Sequence, residues 1–115
     1  GEITYRAFGI CTVEFHNELY GIITRHLTKG NGDPKEHEID TFLTQQGLQQ
    51  NLTWKRTSGR ESQRTLPVYI RNSIHHPENQ VNAPYSEDDL RQSTKALLSI
   101  IATLEDPKPP DRENE

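Results

Sequence analysis

Between Ile3 and about Lys29 the apolar residues Phe8, Cys11, Phe15, Leu19, Ile22, Ile23 and Leu27 recur at steps of three and four, which places them on one helical face. The spacing predicts a long amphipathic first helix, stopped by Gly30 and followed by a Gly30-Asn31-Gly32 turn. Gly9 and Gly21 weaken its interior and mark candidate close contacts between helices. Asp33-Pro34-Lys35-Glu36 then reads as N-cap, first-turn proline and N3 glutamate, predicting a second helix from Pro34 to about Gln46. Ile39, Phe42 and Leu43 form its inward stripe, and Gly47 can end it.

Residues 48–64 show no sustained period and contain Thr57-Ser58-Gly59, so an exposed, mobile connection is expected there, with a short turn of helix near Leu48 to Leu52. Thr65 can cap a third helix carrying Pro67 in its first turn and Leu66, Ile70 and Ile74 on its inner face. Pro77 disfavours α geometry at His76 and should stop that helix. In the fourth helix Ser86 and Asp89 occupy capping-box positions and Tyr85 and Leu90 the hydrophobic-staple positions. Leu90, Leu97, Leu98, Ile101 and Leu104 give it an apolar face. The pattern as a whole predicts an all-α domain over residues 1–105, a bundle of about four main helices with a mobile basic loop before the third. Residues 106–115, acidic and proline-rich, read as a disordered tail.

With 115 residues, 30% hydrophobic content and a mean hydropathy of −0.90, the chain should form one domain with a modest core. The single cysteine, Cys11, excludes an intramolecular disulfide and a Cys cluster for zinc, and it sits on the buried stripe of the first helix. A reducing cytoplasm is therefore expected, and no apolar run is long enough for a membrane span. The absence of methionine suggests a processed chain or an excised domain.

The net charge of −4 argues against a general nucleic-acid coat, yet charge is unevenly spread: residues 54–85 hold five basic and two acidic groups, while both flanking stretches are acidic. Within that segment Lys55, Arg56, Arg60, Arg64 and Arg71 are candidate phosphate contacts, and Trp54 and Tyr69 are candidate platforms for unpaired bases. The same segment also reads as a solvated loop whose cations pair with acidic helices.

The chemistry concentrates in Arg71-Asn72-Ser73-Ile74-His75-His76. A guanidinium can stabilise a developing phosphorane and an imidazole can move a proton near neutral pH, which together suit phosphodiester cleavage without a metal. On a straight helix His75 lies about 40° and His76 about 140° from Arg71, so His76 converges on the arginine only where the helix ends or bends. His75 stays a rival for the role.

Arg71, Asn72 and His76 resemble the R-x4-6-H signature of HEPN domains, many of which are metal-independent ribonucleases of toxins, CRISPR effectors and phage-defence systems. The helical layout of residues 3–104 is similar. The resemblance implies attack by a 2′-hydroxyl, leaving a 2′,3′-cyclic phosphate and a 5′-hydroxyl. His76 would exchange the proton, Arg71 would stabilise the pentavalent phosphate, and Asn72 would orient the phosphate or the imidazole. It also implies no cofactor, RNA as substrate and a homodimer with facing sites. The continuation through His75-His76-Pro77-Glu78-Asn79 resembles helical domains appended to bacterial defence ATPases, and with no Walker-type loop here, an ATPase would lie in a parent protein or partner.

Other readings stand beside it. Arg71 can pair with Glu78 while His75 and His76 finish a helix; His75, His76 and Glu78 can be read as metal ligands; and the domain can dimerise, dock an ATPase or bind RNA without cleaving it. His16, His26 and His37 show no spacing that implies a ligand set.

Overall fold

The computed structural model describes residues 12–28, 30 and 32–105, which form four helices and one hairpin: α1 (Val13–Leu27), α2 (Glu36–Gln45), β1 (Leu52–Lys55), β2 (Glu61–Arg64), α3 (Leu66–His75) and α4 (Glu87–Glu105). The expected all-α class is corrected to a mixed one, mostly helical with a two-stranded antiparallel sheet.

α1 starts at Val13 because Thr12 is extended and its Oγ1 accepts the Phe15 amide at 3.1 Å, so the helix predicted from Ile3 does not run through Thr12. Phe8, Cys11 and Gly9 lie outside the described residues, as does the 106–115 tail. Among the described residues a methyl at Gly21 would meet only the Arg25 guanidinium, at 3.5 Å, so this glycine marks no close helix contact there.

α2 begins two residues later than the proline pattern predicts. Glu38, not Glu36, folds back to accept the Lys35 amide at 2.7 Å, while Asp33 accepts from the Thr28 hydroxyl instead. Its end is a Schellman turn in which Gly47 adopts φ 105° and donates to Thr44, and Leu48 donates to Leu43. Leu48 then packs on the core, where a further turn of helix was expected.

The presumed mobile loop is a hairpin for local reasons. Arg56 and Arg60 close a three-residue turn in which Gly59 takes φ 97°, the conformation that lets Thr57-Ser58-Gly59 join twisted strands. Lys55 pairs with Glu61 at 3.4 Å and Thr53 with Gln63 at 2.8 Å across the strands. Trp54 supplies the apolar anchor, only 5% exposed.

Leu19, Tyr20 and Ile23 of α1, Ile39 and Leu43 of α2, Val68 of α3 and Leu97, Ile100 and Ile101 of α4 make the core. Ser86 and Asp89 exchange amide hydrogen bonds of 2.9 and 3.0 Å, completing the predicted capping box of α4. At the start of α3 the Thr65 hydroxyl does not cap its own helix. It donates, with the Thr65 amide, to the buried carboxylate of Asp40, at 2.7 and 2.9 Å. No helix among the described residues is long and apolar enough to cross a membrane.

Candidate functional site

α3 carries the Arg71 to His76 motif and ends where Pro77 predicts, with His76 at its C-cap (φ −129°, ψ 62°) and the His76 amide donating to the Asn72 carbonyl. This ending does not bring His76 onto Arg71. His76 turns toward Glu78, with Nδ1 3.4 Å from Oε2, and is more than half exposed.

Arg71 leans the other way. Its guanidinium carbon lies 4.7 Å above the Tyr20 ring of α1, a cation–π contact. Among the described residues no carboxylate comes within ion-pair distance of it, so the Arg71–Glu78 pairing is not formed. Its charge is nonetheless felt nearby. Burial first, and the Arg71 charge second, hold the His16 imidazole down at about 4, so His16 is neutral at physiological pH. His75 is also lowered, by desolvation, then by Arg71, then by His76. The Tyr20 phenol is pushed up by burial, against the opposing field of Arg71, with Glu36, Asp40 and Arg64 contributing smaller effects.

His16 and Tyr20 were not singled out by the sequence. They stand at i and i+4 on the inner face of α1, and a histidine inside an apolar stripe is the signal that could have found them. His16 is fully buried, with Nε2 2.7 Å from the Ser93 hydroxyl of α4, while its Nδ1 has no hydrogen-bond partner among the described residues.

Asn72 is buried and donates to Glu36 at 3.3 Å, so it ties α3 to the start of α2 and does not reach toward an imidazole. Arg64 is spent in the same place: Nε lies 2.5 Å from Glu36 and Nη1 4.0 Å from Asp40, with the side chain 14% exposed. Gln50 completes this cluster by donating to Asp40. Arg64 and Asn72, expected at the ligand, here each give a donor to a carboxylate of α2.

Trp54 and Tyr69, expected as platforms for bases, pack on each other. Their rings meet edge to face at 5.3 Å and 88°, both nearly buried, so neither presents a face to a base. The Tyr69 hydroxyl instead donates to the Ala83 carbonyl at 2.6 Å and pins the loop that follows α3.

Lys55, Arg56 and Arg60 stay exposed at the hairpin tip, Lys55 sharing its charge with Glu61. The backbone of Lys55 is gripped by Asn82, whose side-chain oxygen accepts the Lys55 amide at 2.7 Å while its nitrogen donates to the Lys55 carbonyl at 2.7 Å. Asn79 donates to the same carbonyl at 3.0 Å. These bonds set the basic tip beside the loop after the motif. That loop and the end of α3 enclose a cavity of about 380 Å³, reached by His76, Ser73 and Tyr85.

Among the described residues no three His, Cys, Asp or Glu side chains converge, so His75, His76 and Glu78 do not form a ligand set. The structure thus brings Arg71 near His16 and His75, and His76 near a separate cavity and the basic tip. No family model, curated protein or solved structure matches the chain.

Proposed function

We propose that the chain is a metal-independent endoribonuclease that cleaves single-stranded or loop RNA by 2′-hydroxyl transesterification, of the effector type used in prokaryotic defence. The observation that carries this reading is Arg71. It is a partly buried guanidinium held by an aromatic ring, with no carboxylate at ion-pair distance among the described residues, on the helix whose last turn presents the exposed His75 and His76. An incoming phosphate can take the hydrogen-bond donors that Tyr20 leaves unused.

In this mechanism His75, whose protonated form is disfavoured by desolvation and by Arg71, accepts the 2′-hydroxyl proton. The 2′-oxygen attacks phosphorus, Arg71 stabilises the added charge, and the P–O5′ bond breaks as His76 donates a proton to the leaving oxygen. The products are a 2′,3′-cyclic phosphate and a 5′-hydroxyl. Glu78 orients the His76 ring through Nδ1. A homodimer would set two such ends against each other. With two imidazoles in each chain, acid and base do not require it.

In a second reading, a non-catalytic helical domain that docks an ATPase subunit, the Arg71 contact with Tyr20 serves only to join α3 to α1. RNA cleavage in EDTA by wild type, Arg71→Ala, His75→Ala and His76→Ala separates the two. Cleavage that is lost in the variants supports the ribonuclease. A folded, RNA-inert wild type supports docking.

A further inference from the structure

The walls of the cavity beside His76 are fixed. Tyr69 holds the Ala83 carbonyl, and the Asn79 amide donates to the His76 carbonyl at 2.9 Å. Asn79 spends its side chain on Lys55, Val81 and Asn82, and Asn82 spends its own on both backbone groups of Lys55. These amides are therefore structure and offer nothing to a guest.

What remains facing the space is of two kinds. Pro77, Pro84 and the Tyr85 ring supply flat apolar surface. The Gln80 amide supplies a donor and an acceptor that no protein group takes among the described residues, and the His76 ring stands at the rim. A volume of about 380 Å³ lies at the small end for a ligand site, suited to one ring system with a hydrogen-bonding edge.

The exposed Arg56 and Arg60 stand on the hairpin that Asn82 joins to this loop at Lys55, so the element next to the cavity carries cations that suit a phosphodiester chain. A base with apolar faces, a polar edge and phosphates on either side meets all three features.

We propose that this cavity takes one unpaired nucleobase of the RNA strand, with Tyr85 against its face and Gln80 at its edge. The subsite rests on the ribonuclease reading for its polymer, although occupancy by a base needs no cleavage. His76 lines the same cavity and acts on the bond next to the seated base, which makes the site a determinant of where the strand is cut.

The test is titration of the full-length, isotope-labelled protein with AMP, GMP, CMP and UMP, and with ribose 5-phosphate as the base-free control, followed by amide NMR. Saturable shifts confined to residues 73–85 and the hairpin tip, differing among the four nucleotides and absent with ribose 5-phosphate, are expected. Tyr85→Leu keeps apolar bulk at the start of α4 and should weaken nucleotide binding about tenfold, while Tyr85→Phe retains it. Gln80→Ala should flatten the differences among the four bases.

Equal shifts from ribose 5-phosphate, or unchanged binding in Tyr85→Leu, overturn the proposal. Nucleotide binding without RNA cleavage leaves the subsite standing and removes the ribonuclease reading. Cleavage with no base preference and no nucleotide binding does the reverse.

Discussion

Arg64 and Arg71 enter the same part of the molecule from neighbouring elements and end in opposite states. Arg64 is 14% exposed and lies 2.5 Å from Glu36 and 4.0 Å from Asp40, so its charge is returned by carboxylates. Arg71 lies 4.7 Å above Tyr20, and a ring face satisfies a cation without using its N–H groups. The first arrangement fastens β2 to α2. The second leaves the guanidinium donors with no carboxylate at ion-pair distance among the described residues.

The largest expected effect is on rate. Arg71→Ala should lower RNA cleavage by about two to four orders of magnitude, as loss of a transition-state cation does, whereas Arg64→Ala should keep the rate per folded molecule. Single-turnover assays on saturating RNA, corrected for folded fraction by circular dichroism, compare them. Equal losses would erase the distinction.

In stability the order reverses. Arg64→Ala takes the cation from Glu36 and from the buried Asp40, and the cost should fall below the ~3–5 kcal/mol seen for broken buried pairs, because Thr65 and Gln50 still donate to Asp40 and Glu36 is 35% exposed. Arg71→Ala forfeits chiefly a cation–π contact of about 1 kcal/mol. Urea denaturation of the two variants reads the difference, and a larger loss for Arg71 would make that residue structural.

The hairpin and the site were legible to different degrees. The capping box at Ser86, the stop at Pro77 and the end of α2 at Gly47 depend on neighbours in sequence, so local chemistry announced them. The hairpin was missed because Glu61-Ser62-Gln63-Arg64 has no strand-forming side chain. It is held by the Gly59 turn, by cross-strand pairs and by Trp54 on Tyr69, contacts that exist only after folding. The same reason hid the fate of Arg64 and Asn72, since nothing in their own neighbourhood shows that Glu36 will arrive from α2. The start of α2 was displaced because Glu36 and Glu38 both offer a capping carboxylate, and only Glu38 is in place.

A third effect comes from His16. Its folded value of about 4 lies below the ordinary 6.5, so between those limits the unfolded chain binds a proton that the folded chain excludes. Stability should therefore fall as pH drops from about 6.5 to 4, by as much as roughly 3 kcal/mol, and this part of the loss should level off below. The double substitution His16→Leu with Ser93→Ala removes the imidazole together with its hydroxyl partner, and it should flatten that slope in urea titrations at several pH values. A slope retained by the double variant would assign the acid sensitivity to other groups.

Smaller effects separate the exposed cations. Arg56→Gln with Arg60→Gln should reduce the log–log salt dependence of RNA binding by about 0.7 per contact, and Lys55→Gln by less, because Lys55 already faces Glu61 at 3.4 Å. An unchanged slope in fluorescence anisotropy returns the tip to a solvated turn. Finally, Arg71→Gln should raise the titration points of both His75 and His16, since the Arg71 charge helps to hold both down. Histidine ring resonances followed through a pH series show whether they move together.

Asn82 addresses Lys55 through its main chain alone, which frees that position to vary. Because both bonds end on the amide and carbonyl, any residue with an N–H can stand at 55 without loosening the join between hairpin and loop, and proline alone cannot. This exposed position of the hairpin can therefore change its charge, size or chemical label over successive substitutions while the geometry beneath it is inherited unaltered. A cysteine placed there would carry a dye to the rim of the His76 cavity without disturbing the residues that build it.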